Sequence, residues 1–473
     1  MRDFNAEDGR RTMGKSKLGY RSRKRRQKKI MLITIIVLAV LAVGTVLLYL
    51  LQEEGKLPGG RPGESTSAEI PGDTTQAPEG STGDVTGSTE EPTEEPTTEA
   101  VDPNMTIEDV WANDPRTPVE VKGVYLSAAA AARKDTLDAI INLLDTTEVN
   151  AVVIDIKDDI GNLTVDLGID LARQIGATVE CTFTRDQLQT ILNTLKEHDA
   201  YLIARIAAFR DNILSQKKTD CSLWWKQAWG GEIYKDSQGY YWLEPDNETV
   251  QQYLLDISQA CVDMGFDEIQ YDYIRFPTSY IGRVEHYGGT GYYIDEAMTI
   301  YNTEAAQVRI DAVMSFVEKA CRTLVPQGVF VSADVYGIVI NSAEDAGNVG
   351  QDYAELSKWL DYICPMVYPS HYSSPIYGVQ YPDTDPYTIV KGAMTDSKWK
   401  LEELEKSGKH CAIVRAWMQT FTANWLGEGK YLEYGGAELR QQINAVYDAG
   451  YKEWILWNSS GKYDKYVSGI EKK

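Results

Sequence analysis

From Lys122 onward the chain alternates between two kinds of segment. Short runs rich in β-branched and aromatic residues are separated by longer stretches whose apolar residues recur at three- and four-residue steps. Eight runs read as strands: KGVYLSA (122–128), AVVIDIKD (151–158), YLIARIAAF (201–209), EIQYDYIRF (268–276), VFVSADVYG (329–337), YICPMVYP (362–369), HCAIVRAWM (410–418) and EWILWNSS (453–460). Stretches such as 135–145, 186–199, 248–265 and 436–450 read as helices, with Gly265 and Gly450 where helices stop. Strand–helix repetition demands parallel pairing and right-handed crossovers. Eight such units in about 355 residues predict an α/β fold, a (β/α)8 TIM barrel with insertions over 119–473. An open doubly wound sheet is the alternative. No Gly-x-Gly-x-x-Gly follows the first strand, which argues against a dinucleotide site.

The residues before the barrel are of three other kinds. Residues 1–29 carry twelve Lys/Arg against three acids. Residues 30–51, IMLITIIVLAVLAVGTVLLYLL, hold no charge, and 22 residues at about 1.5 Å rise span a ~30 Å hydrocarbon core. The basic flank lies on one side only, so the positive-inside rule predicts a cytoplasmic N-terminus and an extracellular C-terminal domain, on a single-pass transmembrane signal anchor. A cleaved signal peptide fits less well. The apolar run is long for one, and no small-x-small site closes it. Residues 52–118 are read as a disordered linker. Its 52–102 part is rich in Gly, Pro, Ser, Thr and Glu, has no aromatic residue, and sets thirteen acids against two bases. About fifty flexible residues reach roughly 40 Å, which would hold the barrel off the membrane.

Charge and cysteine content narrow the partners. Residues 103–473 hold 33 bases and 54 acids, a net of −21 that repels nucleic acid. The six Cys are scattered with no Cys-x-x-Cys, so free thiols are expected, with one or two disulfides as the alternative. Four His with no His-x-x-x-His spacing predict no metal, and no cofactor is expected.

Active sites of (β/α)8 barrels sit at the C-terminal ends of the strands, where this chain is polar. The second strand ends in Asp155, Lys157, Asp158 and Asp159, and the third carries Arg205. The fourth carries Gln270, Asp272 and Arg275, and the fifth Asp334 and Tyr336. The sixth carries Tyr368, then His371, the seventh Arg415, Trp417 and Gln419, and the eighth ends in Trp457 and Asn458. Strand alternation puts Gln270, Asp272 and Ile274 on one face and Ile269, Tyr271 and Tyr273 on the other, packed on helices. Asp272 then points into the barrel mouth.

The stretches GFDEIQYDYIRFP, VSADVYG, IDIKDDIG, ARIAAF and DYICPMVYPSHY, in this order, resemble a glycoside hydrolase domain family of unknown function found in bacterial envelope proteins, itself similar to α-amylase-like barrels. The resemblance covers roughly 120–460. It implies a glycosidase acting on a polysaccharide or cell-envelope glycan, with Asp272 at the position of the fourth-strand nucleophile. Gln270 stands where the related barrels often carry Arg, and Asp334 where they often carry a Glu acid/base.

Glycoside hydrolysis needs two carboxyl groups flanking the bond, one of them kept protonated near neutral pH. Asp272 and Asp334 end adjacent strands about 4.8 Å apart and form the candidate catalytic pair. Asp155, Asp158, Arg205, Gln270, Arg275, Tyr336, Tyr368, His371, Trp417 and Trp457 are the candidate substrate-binding residues. The structural alternative is that Asp272 is locked in an ion pair with Arg205 or Arg275. Trp224, Trp225, Trp229 and Trp242 fit either sugar stacking or a plug over the barrel. Two rival functions stand beside hydrolysis: a non-catalytic carbohydrate-binding or scaffolding barrel, and metal-assisted deacetylation through Asp155, Asp158 and His371.

Overall fold

The computed structural model describes residues 105–473, apart from 113, 226–231, 279–280, 287–288 and 295–302. The basic arm, the expected membrane span, most of the linker and Trp229 lie outside the described residues. Among the described residues no helix is long and apolar enough to cross a membrane.

All eight expected strands form: β1 (Lys122–Leu126), β2 (Ala151–Lys157), β3 (Tyr201–Ala207), β4 (Glu268–Asp272), β5 (Phe330–Tyr336), β6 (Tyr362–Met366), β7 (Ile413–Gln419) and β8 (Glu453–Trp457). Each pairs in parallel with its sequence neighbours, and β1 pairs with β8 to close the barrel. Helices cover its outside, so most strand residues are buried on both faces and the strands read as nearly continuous apolar runs. Outward residues such as Val152, Ile154, Leu202, Ile269 and Tyr271 pack on the helices, while Val153, Tyr201, Ile203, Phe330 and Tyr362 fill the interior.

The helices start and stop on local chemistry. Thr184 and Gln187 form a capping box at the start of helix Arg185–Glu197. The Asn247 side chain accepts from the backbone N–H groups of Thr249 and Val250 to open helix Glu248–Asp263. Gly265 and Gly450, at φ +89° and +91°, follow helices Glu248–Asp263 and Gly436–Asp448, in the left-handed conformation that glycine adopts without strain.

Two features depart from the expected layout. The ordered body begins N-terminal of 119. Thr106 caps helix Ile107–Trp111 with a capping box, and Trp111 stacks on His410 at 3.5 Å. Arg116 bridges to Asp361 at 2.7 Å and lies over the Phe330 ring. These contacts tie the end of the linker to the N-terminal side of β5 and β6. Second, the excursions after β3 and β4 build a separate three-stranded sheet, with Trp224–Trp225 parallel to Gly289–Ile294 and the latter antiparallel to Ile281–His286. Their single apolar-rich pairs and Gly-interrupted runs gave no strand signal.

Arg415 is not a mouth residue. It pairs in register with Glu453, the first residue of β8, and so lies in the N-terminal half of the barrel. Its guanidinium bridges to Glu268 at 2.8 Å and to Glu453 at 2.9 Å, with its carbon over the Tyr362 ring, 3.7 Å from the centroid. Ser332 and Tyr201 donate to the Glu268 carboxylate. Neutralising one partner strands buried charge, so Arg415→Met is expected to cost about 3–5 kcal/mol in urea unfolding. Replacing all three (Glu268→Gln, Arg415→Met, Glu453→Gln) should recover most of that loss. A single Arg415→Met variant as stable as the parent would show that the cluster contributes no electrostatic lock.

Candidate active site

The mouth is organised around Arg205 on β3. Its Nη1 contacts Asp155 Oδ1 on β2 at 2.6 Å, its Nη2 donates to Asp272 Oδ2 at the end of β4, and its Nε lies 4.0 Å from Asp334 Oδ2 on β5. One guanidinium thus gathers carboxyl groups from both neighbouring strands and the next one round. Each aspartate has a second partner. The Tyr125 hydroxyl donates to Asp155 Oδ2, Trp417 Nε1 donates to Asp334 Oδ1 at 2.5 Å, and the Tyr273 backbone N–H donates to Asp272 Oδ1 at 2.6 Å.

Burial sets the protonation states. It pushes the Asp334 pKa well above the ordinary carboxyl value, and the Asp272 charge adds to this, against Arg205 and the Trp417 hydrogen bond. Asp155 is raised too, by burial, against the pull of Arg205 and the Tyr125 hydroxyl. Burial alone would lower the Arg205 pKa, but Asp155 and Asp272 hold it well above its usual value. The Asp272 side chain keeps 13% of its surface exposed, against 1% for Asp334, so Asp272 has the more open face.

Strand β4 ends at Asp272 because Tyr273 takes a left-handed backbone, φ +49°, which is rare for a bulky residue. The alternation expected through Phe276 therefore breaks. Tyr271 faces the helices, its hydroxyl 2.6 Å from Ser258 Oγ, as expected. Ile274 joins the outer core rather than the mouth. Tyr273 turns to the mouth and its hydroxyl accepts from Arg210 at 2.7 Å.

A cleft of about 1100 Å³ opens here. Of the sequence-derived residues, Arg205, Asp272, Arg275, Asp334, Tyr336, Tyr368, His371, Trp417 and Trp457 line it. Trp457 stacks with Tyr125, 6.2 Å between centroids. His371 is exposed at its edge but crowded by Tyr368, Phe421 and Trp425, and this partial desolvation lowers its pKa. Asp155 stands behind Arg205 and supports it.

Three residues of the sequence reading lie elsewhere. Asp158 is a loop staple: its Oδ1 accepts from the backbone N–H groups of Ile160, Gly161 and Asn162. Gln270 is fully buried below the mouth, with Nε2 3.5 Å from Cys364 Sγ. Lys157 is buried against Asp211 at 2.9 Å and the Ala207 carbonyl. Trp242 also lines the cleft, as a buried plug in its wall that donates to Asp236. All six cysteines are free. Among the described residues no three His, Cys, Asp or Glu side chains are grouped to hold an ion.

The structure adds residues that sequence reasoning missed. Phe421 and Trp425 stack at 5.8 Å on the cleft rim, and Trp425 is 62% exposed. The available signal was an aromatic residue in the polar, Gly-containing loop TANWLGEG directly after β7. Tyr125, which holds Asp155, gave no signal, because a tyrosine in β1 reads as core.

The sequence profile of a family described as "Putative glycosyl hydrolase domain" matches residues 123–463. No curated protein matches the chain. Among solved structures, a hypothetical protein from Ruminiclostridium thermocellum ATCC 27405 is similar at 29% identity over 45% of this chain and 97% of its own, TM-score 0.35. The glycoside hydrolase domain of PgaB (BpsB) from Bordetella bronchiseptica is similar at 13% identity over 73% of this chain and 95% of its own, TM-score 0.49. The glycoside hydrolase domain of PelA from Pseudomonas aeruginosa is similar at 10% identity over 73% and 97%, TM-score 0.39. The profile match runs from β1 to beyond β8 and takes in the whole barrel, and the chain therefore belongs to this glycosyl hydrolase domain family.

Proposed function

We propose that this chain is a membrane-anchored extracellular glycoside hydrolase that cleaves glycosidic bonds of a polysaccharide or cell-envelope glycan. The observation that carries the reading is the Arg205 cluster: three carboxyl groups held on one cation at the mouth of an aromatic-walled cleft. Asp334, with its raised pKa, is suited to give a proton to the departing glycosidic oxygen. Asp272, open to the cleft and held by Arg205, is suited to act as nucleophile or base. Trp417 fixes the orientation of Asp334, and the rings of Tyr368, Trp425 and Trp457 offer stacking faces for sugars. A non-catalytic glycan-binding barrel is the second reading. It is favoured by the near-complete burial of Asp334, which limits its reach to a substrate.

Asp272→Asn and Asp334→Asn should each lower turnover on a glycan panel, by about 10²–10⁴-fold where proton transfer is lost. Their melting temperatures should stay close to the parent. Arg205 keeps Asp155 as partner, and Asp334→Asn removes a carboxyl whose ionisation the fold disfavours. If Asp272 is instead a structural lock, Asp272→Asn should lose about 3–5 kcal/mol of stability and Arg205→Met should restore it.

The pH profile carries a sign. The active form of Asp334 is protonated, so kcat/KM should fall as pH rises through its elevated pKa, above the ordinary carboxyl range. The same elevation means that stability linked to Asp334 is full below the unfolded-state pKa and declines as pH rises toward the folded one. A profile with no alkaline loss would remove Asp334 as the acid.

The location rests on the basic arm and the uncharged run 30–51. Protease added to intact cells should remove residues 103–473 and spare the arm. Cleavage of the arm with a protected barrel would reverse the topology.

A further inference from the structure

Arg275 is a buried cation without a counterion in the described structure. Only 7% of its surface is exposed, yet its one hydrogen bond runs from Nη1 to the carbonyl of Phe276. It has no ion pair with any described carboxylate. Asp272, the partner that the sequence offered, is bound to Arg205 instead. Asp236, the other acid on this wall of the cleft, accepts from Trp242 Nε1 and from the backbone N–H groups of Gln238 and Tyr240. The guanidinium is surrounded by rings, with its carbon 4.3 Å from the Tyr336 centroid, 4.8 Å from Trp242 and 5.4 Å from Tyr273. These contacts orient the group and partly compensate its charge, but they accept no hydrogen bonds in its plane. Its Nε and Nη2, the edge that matches a carboxylate in bidentate fashion, have no hydrogen-bond partner among the described residues, and Arg275 lines the cleft. Buried charge is ordinarily paired, so an unpaired fork in a binding cleft marks a place for an anion.

We infer that Arg275 receives the carboxylate of an acidic sugar, so that the glycan taken by this cleft carries a carboxylate-bearing residue next to the bond that is cut. The inference rests on the glycosidase reading and adds its substrate class. The two sources of that chemistry are a uronic acid and a lactyl ether on an amino sugar. The −21 charge of residues 103–473 does not oppose it. Charges more than about 8 Å apart across solvent are largely screened at physiological salt, whereas a contact inside the cleft is not.

The test compares the full detergent-solubilised chain on three matched oligosaccharides: an oligogalacturonate, an alternating N-acetylglucosamine–N-acetylmuramic acid oligomer, and a neutral chitooligosaccharide. Binding is followed by calorimetry and cleavage by product analysis, and a glycerol-phosphate polymer serves as the phosphate comparison. One of the two carboxylate ligands is expected to bind about tenfold or more tightly than the neutral one, since hydrogen bonds to charged groups are worth about 1.5–3 kcal/mol. Arg275→Gln should abolish that preference, and Arg275→Lys should restore only part of it. Equal binding and cleavage of neutral and acidic glycans by the unaltered chain would overturn the inference and leave the glycosidase reading standing. A preference for the phosphate polymer would overturn the carboxylate assignment. An acidic glycan bound through Arg275 but never cleaved would support the inference and overturn the hydrolase reading. No binding to any of these ligands would overturn the inference.

Discussion

A single guanidinium sets the geometry of the mouth. Arg205 lies between Asp155, Asp272 and Asp334, which come from three strands, and it is the one group that all three share. The arrangement is costly by itself. Three acidic groups and one cation leave an excess of negative charge in a mostly buried volume, and desolvation penalises every ion in it. Protonation would relieve that excess, and burial, with the neighbouring Asp272 charge, raises the Asp334 and Asp155 pKa values in that direction. On the proposed reading, this cluster would serve both needs of glycoside cleavage, with Asp272 held by a cation and Asp334 disposed to keep a proton.

The barrel carries a second charged cluster of opposite purpose. Glu268, Arg415 and Glu453 are closed off at the N-terminal half of the interior, with Ser332 and Tyr201 donating to Glu268, and none of the three lines the cleft. Charge at one end of the barrel is used for packing, and charge at the other is left in reach of a ligand. Between them the left-handed Tyr273 ends β4 early and turns the chain outward, so that Tyr273 and Arg275 join the cleft wall rather than the helix layer. A backbone strained at one bulky residue is a familiar property of functional sites.

The strands were legible because parallel β runs buried on both faces contrast with amphipathic helices, and all eight are found where the alternation put them. The inward direction of Asp272 followed from the two-residue period of β4. The same period failed one residue later, at Tyr273, because no sequence pattern announces a positive φ at a tyrosine. Asp158 and Lys157 could not be placed from the sequence for a different reason. In IDIKDDIG the charges look equivalent, and only the loop geometry shows that Asp155 reaches Arg205 while Asp158 binds backbone and Lys157 binds Asp211. Arg415 was read as a mouth residue because strand sequence carries no marker of depth along the barrel. Trp425 and Arg116 owe their roles in part to contacts distant in sequence, with His371 in one case and Asp361 in the other, which periodicity does not encode.

The central claim is that the reacting bond lies over the Arg205 cluster. A crystal structure of the Asp272→Asn chain with a bound oligosaccharide tests it most directly. The account predicts sugar rings along the cleft, with a glycosidic oxygen within hydrogen-bond reach of the Asp334 carboxyl and an anomeric carbon facing residue 272. A glycan bound elsewhere on the barrel, or one in the cleft with no bond near Asp334, would contradict it.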